Sequence, residues 1–599
     1  MWLRGWFYQG LALLALLIVR TGFMVWNRAF LAEEAPLFEV WLRGMGLDWV
    51  AATWVCLPMW ALLVVGAERP ARFIWMLSLS LALALEVIDI GFFPYSHRRS
   101  GPELIRMLSF WEDSLPALGK YARDFLAGFL FWGGLVGGIW LVSRLRDRVP
   151  VFVGKIRWIG WLVSLGLLVL GGRGGFRLKP LLVVDASIAG CPTCMSFVLN
   201  TTFFFIRSVE QPSFPIWPPM PSQALPYPRP WHPDSTYAAV PRYNVVLFIL
   251  ESFSQEYVEE GYALFLSSIL KKGRCVKWGF ATNSRSAEGV PAILSSTPSL
   301  GEEPLIFTPY VSRIRHSLAE ILRHWGYTTA FFHGGNDGTM VLDSYTRQAG
   351  FMHYFGRKSY PYPDRDYDGT WGIWDAPFLQ FCADQLDKLP QPFLAVVFTL
   401  SSHHPYAVPS SLADSFPSGP LPIHRSIRYA DWALRRFFDR IQHSTWAKRT
   451  LFVFTADHTG PSQNAYHSVR VFHVPIGFYT METTLPELDT IGSQMDILPT
   501  VLEAVGYPDS VCVWGRSLWA REGEVWTIQK PLPFFFQAIG RRHIVHHTPQ
   551  GETFVYKWEG VPWVTQRCSE LPPWYEDWIS YLASYGRWIE RGEGLACLE

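Results

Sequence analysis

Charge is scarce in this 599-residue chain: Asp, Glu, Lys and Arg make up 17% of it, against about 25% in an ordinary soluble protein. Hydrophobic residues reach 49%, which excludes intrinsic disorder, a state that needs low hydrophobicity and high net charge. The shortage also argues against a plain soluble enzyme. The net charge of +1 leaves no basic surplus of the kind that binds nucleic acid. There is no internal repeat. The eight cysteines show no spacing typical of a disulfide framework. Cys191-Pro-Thr-Cys194 has the spacing of a redox pair but not the surrounding βαβ pattern. A local disulfide and two free thiols both remain open.

The missing charge is concentrated near the N-terminus. Residues 49–67 and 125–143 contain no charged side chain. At about 1.5 Å per residue, each run covers most of a hydrocarbon core of about 30 Å. Trp6–Trp26 is interrupted only by Arg20, and Phe73–Pro94 only by Glu86 and Asp89. A fifth run, Trp158–Gly172, lies between Arg157 and Arg173. Trp at many of the ends suits the membrane interface. Five transmembrane helices are expected within residues 1–173. Arg144, Arg146, Arg148, Lys155 and Arg157 crowd one short loop and assign it to the cytoplasmic side. Five crossings then put everything after residue 173 outside. Arg20, Glu86 and Asp89 either pair inside the membrane domain or snorkel from helix ends.

Residues 174–241 read as an interfacial segment followed by a linker. Residues 211–241 hold ten prolines, and proline fixes φ and lacks an N–H, so a stiff extended chain is expected. Beyond it the pattern changes. Short apolar runs at 244–250, 327–332, 393–400, 450–456 and 474–479 do not alternate, as strands buried on both faces should not. Amphipathic stretches such as 317–325 and 426–442 separate them. Strand–helix alternation predicts an α/β domain with a mostly parallel sheet over 242–525. Residues 526–599 read as short antiparallel strands about the turn 547–551 and a last helix near 573–591.

Four buried strands end in chemistry. They lead into Glu251, His333, Ser401-Ser-His403-His404 and Asp457-His458. In open α/β sheets ligands bind at the carboxyl ends of the strands. Glu251, Asp457 and His458 form a plausible divalent-metal set, better suited to Zn²⁺ or Mn²⁺ than to ions that prefer all-oxygen shells. A hydroxyl nucleophile is at hand in Ser286, just before a predicted helix start at 289–297, with Ser284 as a rival.

Together, Leu-Glu-Ser at 250–252, SRSAEGVPAILSS at 284–296, FFHGG at 331–335, SSHHPY at 401–406, TADH at 455–458 and DILPT at 496–500 resemble the lipoteichoic acid synthase-like branch of the alkaline phosphatase/sulfatase superfamily. That branch includes the lipid A phosphoethanolamine transferases. The resemblance implies one divalent ion (Mn²⁺, Mg²⁺ or Zn²⁺) on Glu251, Asp457 and His458. Ser286 stands at the position of the catalytic, metal-contacting Thr, and His403 matches a His that contacts the transferred phosphoryl group. His467 is a candidate second such contact, and His333, His404 and Asp375 are further substrate-binding candidates. The implied activity moves a phosphoglycerol or phosphoethanolamine headgroup from a membrane phospholipid, through a phospho-enzyme, to a hydroxyl on an envelope glycan or lipid. Water as the acceptor would make the same fold a hydrolase. The implied setting is a bacterial cytoplasmic membrane with the catalytic domain outside. Met340 and Leu342 stand where the synthases carry a Trp and an Arg that grip glycerol phosphate. The Cys/Ser-x-Pro-x-Arg signature of formylglycine sulfatases is absent around Ser286.

Overall fold

The computed structural model describes the chain except residues 29–30, 32–36, 97–98, 101–125, 151, 153, 177–179, 182, 187–193, 210–216, 223–225, 302, 465–467, 489, 521–524, 533–534, 548–551 and 593–599. It divides into two compact units, one formed essentially by Met1–Gln211 and the other by most of Pro212–Glu599.

The first unit is helical. Its long helices are α1 (Trp2–Trp26), α2 (Leu37–Val64), α3 (Glu68–Ser96), α4 (Leu126–Ser143) and α5 (Lys155–Arg173). All five are long and apolar enough to cross a membrane. The charged residues inside them pair rather than snorkel. Arg20 on α1 makes a two-pronged bond to Asp48 on α2, at 2.5 and 2.8 Å. Its remaining prong donates to the Phe197 carbonyl at 2.7 Å. Asn200 also donates to Asp48, at 2.8 Å. Gly44 makes room for this pair, because a Cβ there would lie 2.2 Å from Arg20 Nη1. On α3, Glu86 accepts from the Thr202 amide at 2.8 Å and faces Arg99 at 3.5 Å. Asp89 accepts from the Ser100 amide and the Thr201 hydroxyl. Segment 194–209, expected to be interfacial, forms two short helices, Cys194–Val198 and Thr201–Val209, and supplies many of these partners. Charges buried in this way persist only when paired and fully hydrogen-bonded.

Among the described residues the second unit carries the strands: β1 (Arg229–Trp231), β2 (Asn244–Leu250), β3 (Arg274–Cys275), β4 (Trp278–Phe280), β5 (Thr328–His333), β6 (His353–Phe355), β7 (Phe393–Phe398), β8 (Thr450–Ala456), β9 (Ile476–Tyr479), β10 (Ile491–Ser493), β11 (Val511–Val513), β12 (Trp526–Leu532), β13 (Phe535–Gly540), β14 (His543–His547), β15 (Thr553–Trp558) and β16 (Thr565–Cys568). The main sheet has the order β3-β9-β8-β2-β7-β5-β6. Strands β8, β2, β7, β5 and β6 run parallel, while β9 pairs antiparallel with β8 and β3. Every residue of β2, β7 and β8 is buried, which explains their unbroken apolar sequences. The helices that concern the site are α6 (Ser286–Ser295), α7 (Asp375–Leu386), α8 (Ile423–Ile441), α9 (Ile497–Ala504) and α10 (Tyr575–Arg591).

A second sheet, β12 to β16, is wholly antiparallel. Its Ile528, Phe536 and Val545 pack with Trp578, Tyr581, Tyr585 and Trp588 of α10 in one aromatic cluster. The described part of the proline-rich stretch, read from sequence as a stiff extended linker, packs on the second unit. Trp217 stacks on Phe536 at 5.6 Å, over Gly586, where a Cβ would meet the indole at 2.3 Å. Strand β1 pairs with β11. Its prolines stiffen a chain that lies against the second unit. Cys194 takes part in a disulfide, and so, separately, does Cys512, which removes the free-thiol reading for Cys194. Cys191 lies outside the described residues.

Candidate metal centre and active site

The centre is built where β2 and β8, neighbours in the sheet, release their chains. Glu251 follows β2 directly, and its amide donates to Thr399 Oγ1 at 3.0 Å. Ser252 comes next with φ 56°, a left-handed conformation that costs a non-glycine residue about 1–3 kcal/mol. That turn lets the Ser252 amide donate to Asp457 Oδ1 at 2.8 Å, while its hydroxyl donates to Glu251 Oε1 at 2.7 Å. Asp457 follows β8 and is fully buried. Its Oδ1 also accepts from the His458 amide at 2.8 Å. Its Oδ2 is buried with no hydrogen-bond partner among the described residues.

His458 Nδ1 lies 2.8 Å from the Thr459 carbonyl. A carbonyl only accepts, so Nδ1 carries the proton and Nε2 presents a lone pair. That lone pair sits 3.3 Å from Asp457 Oδ2 and 3.8 Å from Glu251 Oε1. One donor atom from each of the three residues falls within 4.8 Å of the others. Burial, with the Asp457 carboxylate beside it, holds Glu251 well above the usual carboxylate range. Two buried carboxylates, one with an orphaned oxygen, and an imidazole lone pair are the donor set a divalent cation requires.

Ser286 is the first residue of α6, and its Oγ lies 3.4 Å from His458 Nε2. Ser284 is exposed and precedes the helix. The approach of α6 depends on Gly289, where a Cβ would stand 2.2 Å from the Asp457 carbonyl oxygen. Behind α6, Lys530 of β12 donates to Glu288 at 2.7 Å and to the Gly301 carbonyl. Gln494 fixes the other side. Its amide nitrogen donates to the Ala456 and Asp457 carbonyls, both at 2.7 Å. Neither Gln494 nor Lys530 was legible as a site residue. Glu288 and Lys530 stand 242 positions apart, and no local pattern announces such a pairing.

His403 lies on the loop after β7. Its Nδ1 is 2.9 Å from the His404 carbonyl, so its Nε2 is free to exchange a proton. The Trp371 ring packs on His403 at 4.2 Å, and Trp371 Nε1 donates to the same carbonyl at 2.7 Å. A tryptophan therefore stands beside this histidine from a position that the spacing to Met340 did not reveal. Leu342 is buried at the start of a short helix. Asp375 accepts from the amides of Leu400 at 2.8 Å and Ser401 at 3.1 Å. Its carboxyl is raised to about 6 by burial, and its bonds tie the His403 loop to α7. His333 is fully buried, lowered to about 4 by burial, and stacked on Phe398 at 4.8 Å; it is not among the three converging donors. His404 is exposed. His467 lies outside the described residues.

Residues 243–507 match the Sulfatase family model. The fold is that of the alkaline phosphatase superfamily. A protein of that superfamily from Vibrio parahaemolyticus superposes with a TM-score of 0.54 at 21% identity, over 60% of this chain and 89% of the other. Among curated relatives, the lipoteichoic acid synthase-like protein YvgJ of Bacillus subtilis (strain 168) is 26% identical over 214 residues, 32% of this chain and 34% of its own. Phosphoglycerol transferase I of Citrobacter koseri is 25% identical over 212 residues, 33% of this chain and 28% of its own. The chain thus spans about a third of the length of the curated relatives it matches.

Proposed function

We propose that the protein is a membrane-anchored phosphotransferase that moves a phospholipid headgroup to an acceptor hydroxyl by way of phospho-Ser286. The observation that carries this is the convergence of Glu251, Asp457 and His458, with a serine hydroxyl on the first turn of a helix 3.4 Å from His458 Nε2. The names of the relatives support a phosphoglycerol-type headgroup.

Glu251, Asp457 and His458 would hold one divalent ion, which supplies Lewis-acid stabilisation and lowers the pKa of an adjoining hydroxyl. Ser286 Oγ, its proton already given up to solvent, attacks the phosphorus as the alkoxide; a bond forms from Oγ to phosphorus, and the bond to the diacylglycerol oxygen breaks. The amides at the start of α6 favour the anionic phosphoryl group there. His403, protonated at Nε2, gives its proton to the departing oxygen. The neutral imidazole then takes a proton from the acceptor hydroxyl, which attacks phospho-Ser286 and frees the serine. Trp371 holds the imidazole in place. The five apolar helices would anchor this chemistry at a bacterial cytoplasmic membrane, with the catalytic unit outside. Tethering raises the effective concentration of lipid substrate.

The test is product analysis with a headgroup-labelled phospholipid and the full-length protein. Label on an acceptor supports transfer. Label released only as free headgroup phosphate in the presence of acceptors would identify a hydrolase. No turnover by metal-loaded protein, or full turnover by Ser286→Ala, contradicts the proposal.

A further inference from the structure

A cleft of about 780 Å³ lies on the second unit between the loop 360–377, the start of the 409–412 segment and helices α7 and α8. The volume is that of a small-molecule site. None of the three metal-centre residues lines it, nor does Ser286 or His403. Its walls are nevertheless bound to the His403 loop. Trp374 in its lining precedes Asp375, which holds the Leu400 and Ser401 amides. Trp371, three residues before Trp374, donates to the His404 carbonyl. The chain that leaves His404 enters the cleft wall as Pro409.

The lining joins aromatic faces to planar polar groups. Trp432 is half-buried and is held by Phe416 at 5.6 Å and Tyr429 at 6.0 Å, and Trp374 meets Tyr429 edge-on at 6.0 Å. Tyr362 is 53% exposed. Among the polar lining, charge of neither sign predominates. Asp366 is paired with Arg365 at 2.6 Å and Asp384 with Arg440 at 3.2 Å, while Arg436 lies 5.0 Å from the Trp432 ring. The Gln380 amide nitrogen is buried and has no partner among the described residues. A buried donor left unmade is costly, and a ligand oxygen would relieve it.

A polyanion would meet two carboxylates here, and a polycation would meet two guanidinium groups. An acyl chain would have to dehydrate all of them without compensation. A neutral polyhydroxyl chain fits both halves of the lining: its C–H faces lie against the negative faces of aromatic rings, and its hydroxyls bond to planar amide and charged groups. We propose that this cleft binds a neutral saccharide chain. It would hold the saccharide beside the His403 loop as the carrier of the acceptor hydroxyl, a role that rests on the transfer reading above.

The test uses the full-length protein in nanodiscs, titrated calorimetrically with laminaritetraose, cellotetraose and maltotetraose, and with a heparin-derived tetrasaccharide as the anionic arm. At least one neutral tetrasaccharide is expected to bind, and the anionic one is not. Trp432→Ala and Gln380→Ala are expected to weaken that binding at least tenfold, and Trp432→Phe less than either. Gln380→Ala removes an unpaired buried donor, so the variant should unfold no earlier than wild type. Loss of binding in it therefore cannot be put down to misfolding. Failure of all three neutral chains to bind, preferential binding of the anionic one, or unchanged binding in both alanine variants would overturn the proposal. Phosphorylation of Ser286, measured by mass on the same wild-type preparation, reports the transfer reading separately. An adduct without saccharide binding overturns the cleft alone. Saccharide binding without an adduct upholds the cleft and removes its acceptor role.

Discussion

Ser286 Oγ and His458 Nε2 lie 3.4 Å apart, and the Thr459 carbonyl fixes which imidazole nitrogen faces the serine. The serine therefore confronts a lone pair that itself stands beside two carboxylates. Such a site is electrostatically complete only with a cation bound.

One divalent ion per chain is expected in protein purified without chelator. Chelation should abolish turnover and destabilise the second unit. An ion present at a hundred times its Kd adds about 2.7 kcal/mol of stability. Metal analysis together with thermal unfolding checks this. Glu251→Ala and Asp457→Ala should each lose both the ion and the metal-dependent shift in Tm.

Gly289→Ala should reduce activity more than tenfold, although alanine is the better helix former. The added methyl would stand 2.2 Å from the Asp457 carbonyl oxygen. Overpacking against a rigid neighbour costs about 1–3 kcal/mol, and the strain falls on Asp457, one of the three proposed metal ligands. Metal affinity and Tm should fall together in this variant.

In the first unit, Arg20→Met should destabilise the detergent-solubilised protein by about 3–5 kcal/mol, because it leaves Asp48 charged and buried without its partner. The double change Arg20→Met with Asp48→Leu should recover a large part of that loss. Thermal unfolding of the four proteins in the cycle measures the coupling. Additive effects would show that the two-pronged bond contributes no coupling.

Asp375 bears on pH dependence. Burial raises its carboxyl from 3.8 to about 6 in the fold. Between those values the folded protein holds a proton that the unfolded chain has lost. Stability from this group is therefore full at low pH and declines as pH rises from about 4 to about 6. Asp375→Asn keeps an oxygen for the Leu400 and Ser401 amides and cannot ionise. Its Tm should fall less than that of wild type across this window.

The residues at the strand ends were legible because strands buried on both faces have unbroken apolar sequences, and Glu251 and Asp457 end two of them abruptly. The parallel core and the antiparallel C-terminal sheet followed from the same reasoning. What decides β9 is its partner, and pairing at a sheet edge leaves no mark on the strand itself. It runs antiparallel to β8 and β3. Asp48 escaped notice because it lies one residue outside the charge-free run, yet it is the counter-ion of Arg20. Trp217 and β1 show the same limit. Ten prolines predict stiffness but cannot say what the chain lies on. Gln494, Lys530 and Trp371 act on the site through contacts far along the chain.

The mass of the Ser286-containing peptide tests the central claim most directly. Full-length, metal-loaded protein is incubated with bacterial phospholipids in the absence of acceptor, quenched in acid and digested. The expected result is a headgroup-phosphate adduct on Ser286, absent from Ser286→Ala, which turns over at least about 10³-fold more slowly. An unmodified Ser286 peptide from protein that is actively turning over, or an adduct found at Ser284 instead, would contradict it.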